Sequence, residues 1–333
     1  MERKVRWGIL STANIGRKAV GPAIQASSNG EVVAVASRDA AQAAAYATAL
    51  GIPRHHDSYE ALLADDGIDA VYNPLPNSLH REWTIRALEA GKHVLCEKPL
   101  GLSAAECREM AAAAEGSGRF LMEAFMYRFH PRTVKAREMA AAGRLGDVRL
   151  VRATFGFTVS DPANIRLQPE LGGGALMDVG CYCVDVARQV FGREPLEAQA
   201  RAVWSGSGVD ARLLGTLDFG GGAFLQFDCA LDAVRVESVV IDGSQGRLRL
   251  DGAFVAGKGE TTLVHEDRAA GTEVLSFAGV DQYQLMAEHF ADCVLTGAQP
   301  LYGGGHAAGG MAALEALYAS ARGGGHPVQV SST

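Results

Sequence analysis

The sequence lacks the features that would assign this protein to a membrane or a nucleic acid. No apolar run approaches the ~18 residues of a membrane-spanning helix, and no run rich in Lys and Arg offsets the formal net charge of -7. This charge balance argues against a protein that binds nucleic-acid backbones. The first ten residues enter a strand-like run without a cleavable apolar leader, so we expect a cytoplasmic protein with neither a membrane nor a nucleic-acid partner.

Cysteine motifs for metals or disulfides are also missing. The cysteines stand at positions 96, 107, 181, 183, 229 and 293, with no CxxC pair and no histidine at metal-ligand spacing. Most of them lie within apolar stretches. We therefore expect buried free thiols and no metal site.

What the sequence does contain is a globular composition, with 48% hydrophobic and 21% charged residues. Its 333 residues predict two domains, on a prior of ~150 residues each. Short apolar runs alternate with helical stretches up to about residue 122, which indicates right-handed crossovers and a parallel sheet. We predict an α/β domain with a parallel sheet over residues 1–124.

The order of predicted elements changes after about residue 125, where strand-like runs follow one another and are joined by Gly, Asp and Ser turns. This pattern predicts a mostly antiparallel sheet. Helical stretches are expected over residues 174–191, 282–295 and 306–321. We therefore predict a second, α+β domain over residues 125–333.

The first strand runs into a loop that resembles a phosphate-binding turn but departs from its pattern. Ser11 and Ala13 stand where G-x-G-x-x-G has its first two glycines, and only Gly16 remains. Small residues still permit a tight turn with helix N–H groups aimed at phosphates, although an ordinary strand-to-helix turn is the alternative. The predicted phosphate contacts are Ser11, Thr12, Ala13, Asn14 and Ile15.

The end of the second strand predicts the kind of cofactor. Ser37 and Arg38 supply a hydroxyl and a guanidinium, and both groups suit the 2′-phosphate of NADP. An acid at this position would instead bind the ribose 2′-hydroxyl of NAD. NADP is therefore favoured over NAD. Asp39 follows immediately and could weaken that preference, and a solvated arginine is the alternative interpretation.

Two further loops follow predicted parallel strands and so are expected to line the cofactor crevice. One is the proline-rich segment 73–77, which precedes a helix, and the other begins at Glu97. Pro99 favours an extended backbone at Lys98 and so holds its amine at the end of a strand. The predicted cofactor contacts in these loops are Pro74, Asn77, His80, Glu97 and Lys98.

Four motifs in order along the chain carry a resemblance to a known family. They are NPLPN with His80 (73–80), EKP (97–99), EAFMYRFHP (123–131) and GGGALMDVGCY (172–182). Together they resemble the glucose-fructose oxidoreductase / inositol dehydrogenase (Gfo/Idh/MocA) family over essentially the whole chain. Many members of the family carry a histidine where this chain has Tyr182. With a tyrosine at that position, the chain resembles the branch that contains NADP-dependent xylose dehydrogenase and dimeric dihydrodiol dehydrogenase.

The resemblance implies an N-terminal Rossmann domain, a nicotinamide cofactor and a C-terminal domain whose open sheet builds a homodimer or homotetramer. It also implies that Lys98, Asp178 and Tyr182 form the catalytic set. The spacing independently places Asp178 and Tyr182 on one helix face, which Asp185 continues. Either Lys98 or Tyr182 could accept the proton of the substrate hydroxyl.

We therefore expect an NAD(P)-dependent dehydrogenase acting on CH–OH groups of a sugar or polyol, most concretely an aldose 1-dehydrogenase for D-xylose or D-glucose. The alternatives are a trans-dihydrodiol dehydrogenase, a reductase of 1,5-anhydro-sugars or nucleotide-linked keto-sugars, an enzyme that cycles bound cofactor between two sugars, and a non-catalytic NADP-binding regulator. Tyr127, Arg128 and Arg166 are candidate substrate contacts, with hinge or packing roles as the alternative for the first two. His55 and His56 are expected in a surface loop.

Overall fold

The computed structural model describes residues 3 to 331. The strands are Val5–Leu10 (β1), Gly30–Ala36 (β2), Arg54–His56 (β3), Ala70–Asn73 (β4), His93–Cys96 (β5), Leu121–Glu123 (β6), Val148–Thr158 (β7), Glu197–Trp204 (β8), Asp210–Asp218 (β9), Phe224–Ala230 (β10), Asp232–Gly243 (β11), Gly246–Asp251 (β12), Thr261–Asp267 (β13), Gly271–Phe277 (β14) and Val328–Gln329 (β15). The α-helices are Gly21–Ala26 (α1), Ala40–Leu50 (α2), Tyr59–Leu63 (α3), His80–Glu89 (α4), Ala104–Ser117 (α5), Pro131–Ala141 (α6), Cys181–Phe191 (α7), Gln282–Thr296 (α8) and Gly304–Arg322 (α9). A π turn precedes α1 at Gly16–Val20 and another precedes α7 at Leu176–Gly180.

The chain divides into two compact units. The first comprises residues 1–126 and 281–308, and the second comprises residues 127–280 and 309–333. The division differs from the predicted domains because α8 belongs to the first unit. The ring of Phe290 on α8 lies 5.6 Å from that of Trp7, and Asn29 donates to the carbonyl of Glu288 at 2.9 Å.

The first unit is built on a six-stranded sheet with the order β3-β2-β1-β4-β5-β6. Every pairing in it is parallel. The central strands are apolar on both faces, as a parallel sheet covered by helices requires. This is the strand order of a Rossmann domain, which binds ligands beyond the carboxyl ends of its strands. The predicted fold class is confirmed for this unit.

The second unit contains a nine-stranded sheet with the order β14-β13-β12-β11-β7-β10-β9-β8-β15. Only β7 and β10 run parallel among the pairings of the described residues, so the prediction of a mostly antiparallel sheet is confirmed. The residues of β9 alternate between buried and exposed, with Leu213 and Leu217 inside and Leu214 outside. One face therefore holds the core and the opposite face is exposed.

Three further observations bear on the sequence predictions. All six cysteines are free and buried, as expected. His55 and His56 do not lie in a loop: they belong to β3, where the ring of His56 contacts Asp65 at 3.2 Å. That strand was missed because it is short and polar and lies at the sheet edge. Across residues 3–331, none of the helices combines the length and the apolar character that a bilayer crossing needs.

Candidate active site

The loop after β1 adopts a strained backbone. Ser11 has a φ of 84°, a conformation that glycine adopts freely and other residues adopt rarely. Its amide donates to Ala36 at 2.9 Å, and its hydroxyl accepts a hydrogen bond from the amide of Ala13 at 3.3 Å. The turn of a dinucleotide fingerprint is thus retained without its first glycine. Such strain, about 1–3 kcal/mol, is typical of functional sites.

Gly16, the one glycine of the fingerprint that remains, is required by close packing. A Cβ atom on this residue would lie 2.8 Å from the hydroxyl oxygen of Tyr46. Tyr46 is 4% exposed, and its hydroxyl has no hydrogen-bond partner among the described residues. Burial raises the pKa of Tyr46 well above its usual range, so the hydroxyl stays neutral. Gly16 is therefore the residue that leaves room for the Tyr46 hydroxyl at this helix start.

The other predicted phosphate contacts lie at the start of the same helical segment. Thr12 and Ile15 are partly exposed, and Asn14 is exposed and accepts a hydrogen bond from Arg17 at 2.9 Å. Their positions agree with a ligand that approaches the helix from its N-terminal end.

At the end of β2 the structure separates the roles of Arg38 and Asp39. The carboxylate of Asp39 accepts hydrogen bonds from the amides of Ala41 and Gln42, at 2.9 and 3.1 Å, and so caps α2. Arg38 is exposed and Ser37 is buried. Because the acid is engaged by the helix, the guanidinium remains as the group at this strand end that suits a 2′-phosphate.

His80, which the sequence predicts as a cofactor contact, has a different place in the structure. Its side chain is 0% exposed, and its ring nitrogens lie 2.9 Å from the carbonyl oxygen of Pro99 and 2.8 Å from that of Leu75. Burial lowers the pKa of His80. The residue therefore ties the loop after β4 to the segment that follows Lys98, and it positions both rather than contacting a ligand.

The EKP segment is held by two carboxyl groups. The hydroxyl of Tyr72 donates to Glu97 at 2.5 Å, and Glu123 accepts a hydrogen bond from the amide of Leu100 at 2.9 Å. Lys98 itself is partly exposed and precedes a cis peptide bond. Of the other loop candidates, Pro74 is buried and Asn77 is partly exposed.

In the second unit, the triple glycine allows two segments to approach each other. A Cβ atom on Gly173 would lie 2.5 Å from the carbonyl oxygen of Arg166, and the amide of Gly174 donates to that oxygen at 2.9 Å. As a result Nε of Arg166 reaches Asp178 and donates to its Oδ2 at 2.6 Å. The structure therefore brings together two predicted site residues that the sequence did not connect.

Asp178 and Tyr182 belong to one continuous helical segment, but the segment is not a regular α-helix. Asp178 lies in the π turn and Tyr182 in α7, so the simple i, i+4 geometry does not apply across the junction. The ring of Tyr182 is 5% exposed and packs against those of Phe155 and Phe254, each at a centroid distance of 5.4 Å. These aromatic neighbours fix the direction of the tyrosine.

Tyr127 and Arg128, candidates for substrate contacts, instead bind a buried acid. The hydroxyl of Tyr127 and the Nη2 of Arg128 each donate to Asp185 at 2.5 Å. Arg128 is 2% exposed and Asp185 is equally buried. The structure thus favours the packing role for both residues. Asp185 was expected to continue the polar face of Asp178 and Tyr182. Its carboxylate is instead buried in an ion pair with Arg128.

Comparison with known proteins assigns the chain to a family. Residues 5–125 match the model described as "Oxidoreductase family, NAD-binding Rossmann fold", and residues 133–249 match the "GFO/IDH/MocA C-terminal domain". The D-xylose 1-dehydrogenase (NADP(+)) 2 of Haloferax volcanii is 43% identical over 95% of this chain and 97% of its own. The chain belongs to the Gfo/Idh/MocA family. It is therefore a member of an oxidoreductase family, and the resemblance inferred from the sequence is confirmed.

Other Gfo/Idh/MocA proteins that resemble this chain act on different substrates. The trans-1,2-dihydrobenzene-1,2-diol dehydrogenase of Xenopus laevis is 35% identical over 88% of this chain and 90% of its own. The crystal structure of a 3-ketoreductase from Actinomadura kijaniata, in complex with NADP and TDP-benzene, has a TM-score of 0.90 and 30% identity, and the match covers 96% of this chain and 98% of that one.

Some residues of this Gfo/Idh/MocA protein that shape the site were missed by sequence reasoning. Tyr46, Tyr72 and Asp210 each lie far along the chain from the residues that they contact. The glycines at 16 and 174 were the available signal in the sequence. A glycine can indicate that another group packs closely against the backbone, but it does not show which residue that is.

Proposed function

We propose that this protein is an NADP-dependent dehydrogenase that oxidises the C1 hydroxyl of an aldose, D-xylose or D-glucose, to the lactone. The observation that carries the proposal is the 43% identity, over 95% of the chain, to a protein named as a D-xylose 1-dehydrogenase that uses NADP. A similarity of this extent spans both units. It therefore includes the parts of the chain that contribute to cofactor binding and to substrate binding.

NADP is held by residues of the first unit. The segment 11–21 contains no acid, and it begins a helix whose N-terminal amides favour phosphate. Arg38 binds the 2′-phosphate, and its neighbour Asp39 does not oppose this because the carboxylate caps α2. The relative from Haloferax volcanii is named for NADP, and the 3-ketoreductase was solved with NADP, which supports the same cofactor here.

The catalytic set consists of Lys98, Asp178 and Tyr182. When bound, NADP supplies the nicotinamide carbon that accepts a hydride. Tyr182 or Lys98 takes the proton of the sugar hydroxyl, a role that contributes about 10²–10⁴-fold to rate. Asp178 binds a sugar hydroxyl.

Arg166 contributes to this set through Asp178. Its hydrogen bond to the carboxylate, at 2.6 Å, holds the side chain of Asp178 in one orientation. The guanidinium also lies 5.8 Å from the centroid of the Phe157 ring, so it has limited freedom to turn away. A neutral sugar suits such a balanced pair of charges.

The test of the proposal is the appearance of reduced nicotinamide absorbance when the pure protein meets NADP or NAD with a panel of aldoses, inositols, anhydro-sugars and dihydrodiols. Turnover with NADP on an aldose is the expected result. Turnover confined to another class of substrate would reassign the substrate but keep the reaction. Tight NADP binding with no turnover on any of them would favour the non-catalytic regulator.

A second candidate function is supported by specific relatives. The 35% identity to a dihydrodiol dehydrogenase and the structural match to a 3-ketoreductase favour oxidation of a cyclic diol or reduction of a keto-sugar. Both reactions transfer a hydride between a CH–OH carbon and the nicotinamide, and the same residue accepts the hydroxyl proton in oxidation and donates it in reduction. Assays in the reducing direction, with NADPH and keto-sugars, separate these activities from aldose oxidation.

The exposed face of the nine-stranded sheet builds a homodimer or homotetramer. Val203, Leu214 and Phe224 lie on that face and are 50%, 54% and 44% exposed. Apolar side chains in such number on one face favour burial against a second copy. Analytical ultracentrifugation of the wild type and of Leu214→Arg tests this: a larger wild-type mass that falls in the variant is expected, and a monomeric wild type would contradict it.

A further inference from the structure

A buried carboxylate, Asp210, lies against the start of the helical segment that carries Asp178 and Tyr182. Asp210 is the first residue of β9 and is 1% exposed. Its Oδ2 accepts a hydrogen bond from the amide of Leu176 at 2.7 Å, and its Oδ1 accepts one from the hydroxyl of Tyr318 at 2.6 Å. Both oxygens are therefore used to join a strand, α9 and the π turn.

The backbone around Asp210 is shaped to admit this carboxylate. Gly174 has a φ of 124°, and a Cβ atom there would lie 2.1 Å from Oδ1 of Asp210 and 2.8 Å from the hydroxyl of Tyr318. The carbonyl of Gly174 in turn accepts a hydrogen bond from the amide of Asp178 at 3.0 Å. The last glycine of the triplet thus contacts Asp210 on one side and Asp178 on the other.

Charge explains why an acid stands at this position. A helix start carries exposed N–H groups and attracts negative charge, so an ionised carboxylate binds the amide of Leu176 more strongly than a neutral group would. Burial of that charge opposes ionisation. It raises the pKa of Asp210 to about 6, although Tyr318, the Leu176 amide and Arg322 each favour the ionised form.

The groups that face Asp210 come from several elements. Tyr318 and Arg322 lie on α9, Leu176 begins the π turn, and Cys229 lies on β10. Burial keeps the thiol of Cys229 neutral by raising its pKa well above the usual value. The hydroxyl of Tyr318 is neutral for the same reason. Asp210 is therefore the group of this set that changes its charge near neutral pH.

We propose that Asp210 is a positioning residue, whose ionised carboxylate fixes the π turn so that Asp178 stays bound to Arg166 and Tyr182 keeps its direction. It acts through Leu176 and Gly174 and does not touch the substrate. The inference rests on the proposed function, since it matters for turnover only if Asp178 and Tyr182 act on the sugar. Asp210 lies outside the four motifs that carry the family resemblance, so this role could not be inferred from them.

Stability and turnover are expected to depend on the protonation of Asp210 with opposite signs, so pH distinguishes a positioning role from a folding role. Because the pKa of Asp210 is raised above its ordinary value, the folded protein binds this proton more tightly than the unfolded chain does. The stabilising contribution is therefore complete below the unfolded pKa of 3.8 and is lost as pH rises through about 6. Activity changes in the opposite direction, since protonation weakens the bond to Leu176. A fall in turnover below pH 6 is then not caused by loss of stability at this site.

The experiment compares wild type, Asp210→Asn and Tyr318→Phe, with Asp147→Asn as the control for an exposed acid of the second unit that lies before β7. Asparagine can keep one acceptor on the Leu176 amide, so the fold is retained. We expect kcat of Asp210→Asn to fall about tenfold at pH 7.5, in line with a small misplacement of catalytic groups. The KM for NADP is expected to stay unchanged, and the acid limb of the kcat profile near pH 6 is expected to vanish. Tyr318→Phe is expected to shift that limb to higher pH, because the hydroxyl favours the ionised form.

Amide hydrogen exchange gives a readout that does not depend on turnover. Residues 174–182 are expected to exchange faster in Asp210→Asn than in the wild type after correction for pH, while α2 of the first unit is unchanged. Unaltered exchange in residues 174–182 would overturn the inference, as would altered exchange with a normal kcat profile. A wild type that turns over no substrate would instead refute the proposed function, and exchange alone would then decide whether Asp210 fixes the turn.

Discussion

The two units use the same backbone feature in opposite ways. Each places a functional segment at the start of a helix that opens with a π turn, Gly16–Val20 in the first and Leu176–Gly180 in the second. Residues 11–21 contain no acid, so the first helix start favours the phosphates of a ligand. In the second, the carboxylate of Asp210 binds the amide of Leu176. A helix start is thus a ligand site or an anchor according to the side chain that approaches it.

The largest effect is expected from Lys98→Ala, which tests whether the first unit contributes chemistry as well as cofactor binding. Turnover should fall by about 10²-fold or more, because a proton-transfer group is lost. Steady-state rates with an aldose measure it, and fluorescence titration checks that NADP still binds. Lys135→Ala, which changes an exposed lysine on α6, is the control. A variant with near-normal turnover would end the assignment of Lys98.

An acid introduced at the first helix start tests whether the absence of acids there is what permits phosphate binding. Ala13→Asp places a negative charge where the phosphates are expected, so NADP affinity should fall on the order of tenfold to a hundredfold. Ala13→Asn has nearly the same shape without the charge and is the matched control. Isothermal titration measures both. Equal affinities for the two variants would mean that this helix start does not hold phosphate.

A smaller effect is expected from Arg38→Ala, which sharpens the account of the cofactor. Loss of the guanidinium should weaken NADP by roughly tenfold, the order of a charge-assisted hydrogen bond to phosphate, and leave NAD almost unaffected. The ratio of kcat/KM for the two cofactors is the measurement. Weakening of both cofactors to the same degree would show that Arg38 supports the loop and does not read the 2′-phosphate.

The smallest effect is expected from Gly16→Ala, which tests the packing that shapes the first helix start. The added methyl would meet the hydroxyl of Tyr46 at 2.8 Å, and such overpacking should lower the free energy of unfolding by about 1 kcal/mol. Tyr46→Phe removes the oxygen and should restore most of this loss in the double variant. Denaturant unfolding of all four proteins measures the coupling. Strictly additive effects would contradict the contact.

Periodicity predicted most of the fold because the central strands are apolar and alternate with helical stretches. The alternation of strands and helices up to residue 122, and the succession of strands after it, are both observed. β3 was missed, since Arg54–His56 is short and polar and lies at the edge of the sheet. The place of α8 was also missed, because the contact between Phe290 and Trp7 joins opposite ends of the chain.

The site was predicted less completely than the fold. Motif residues such as Lys98 and Asp178 were found because they stand in recognisable runs, and their roles stay predictions. Partners were not found: no spacing in the sequence connects Arg166 to Asp178 or Arg128 to Asp185, since tertiary packing decides such pairs. The cytoplasmic location and the absence of membrane and nucleic-acid partners also stay predictions.

The discontinuous first unit has a consequence for biosynthesis. Trp7 is fully buried, and the ring that packs against it belongs to Phe290 of α8. A ribosome releases the chain from its N-terminus, so the first sheet emerges long before the helix that covers it. During that interval residues 127–280 of the second unit are synthesised, while the apolar surface of the first unit that α8 covers stays exposed. The first unit is therefore completed only after α8, which is synthesised late, has left the ribosome.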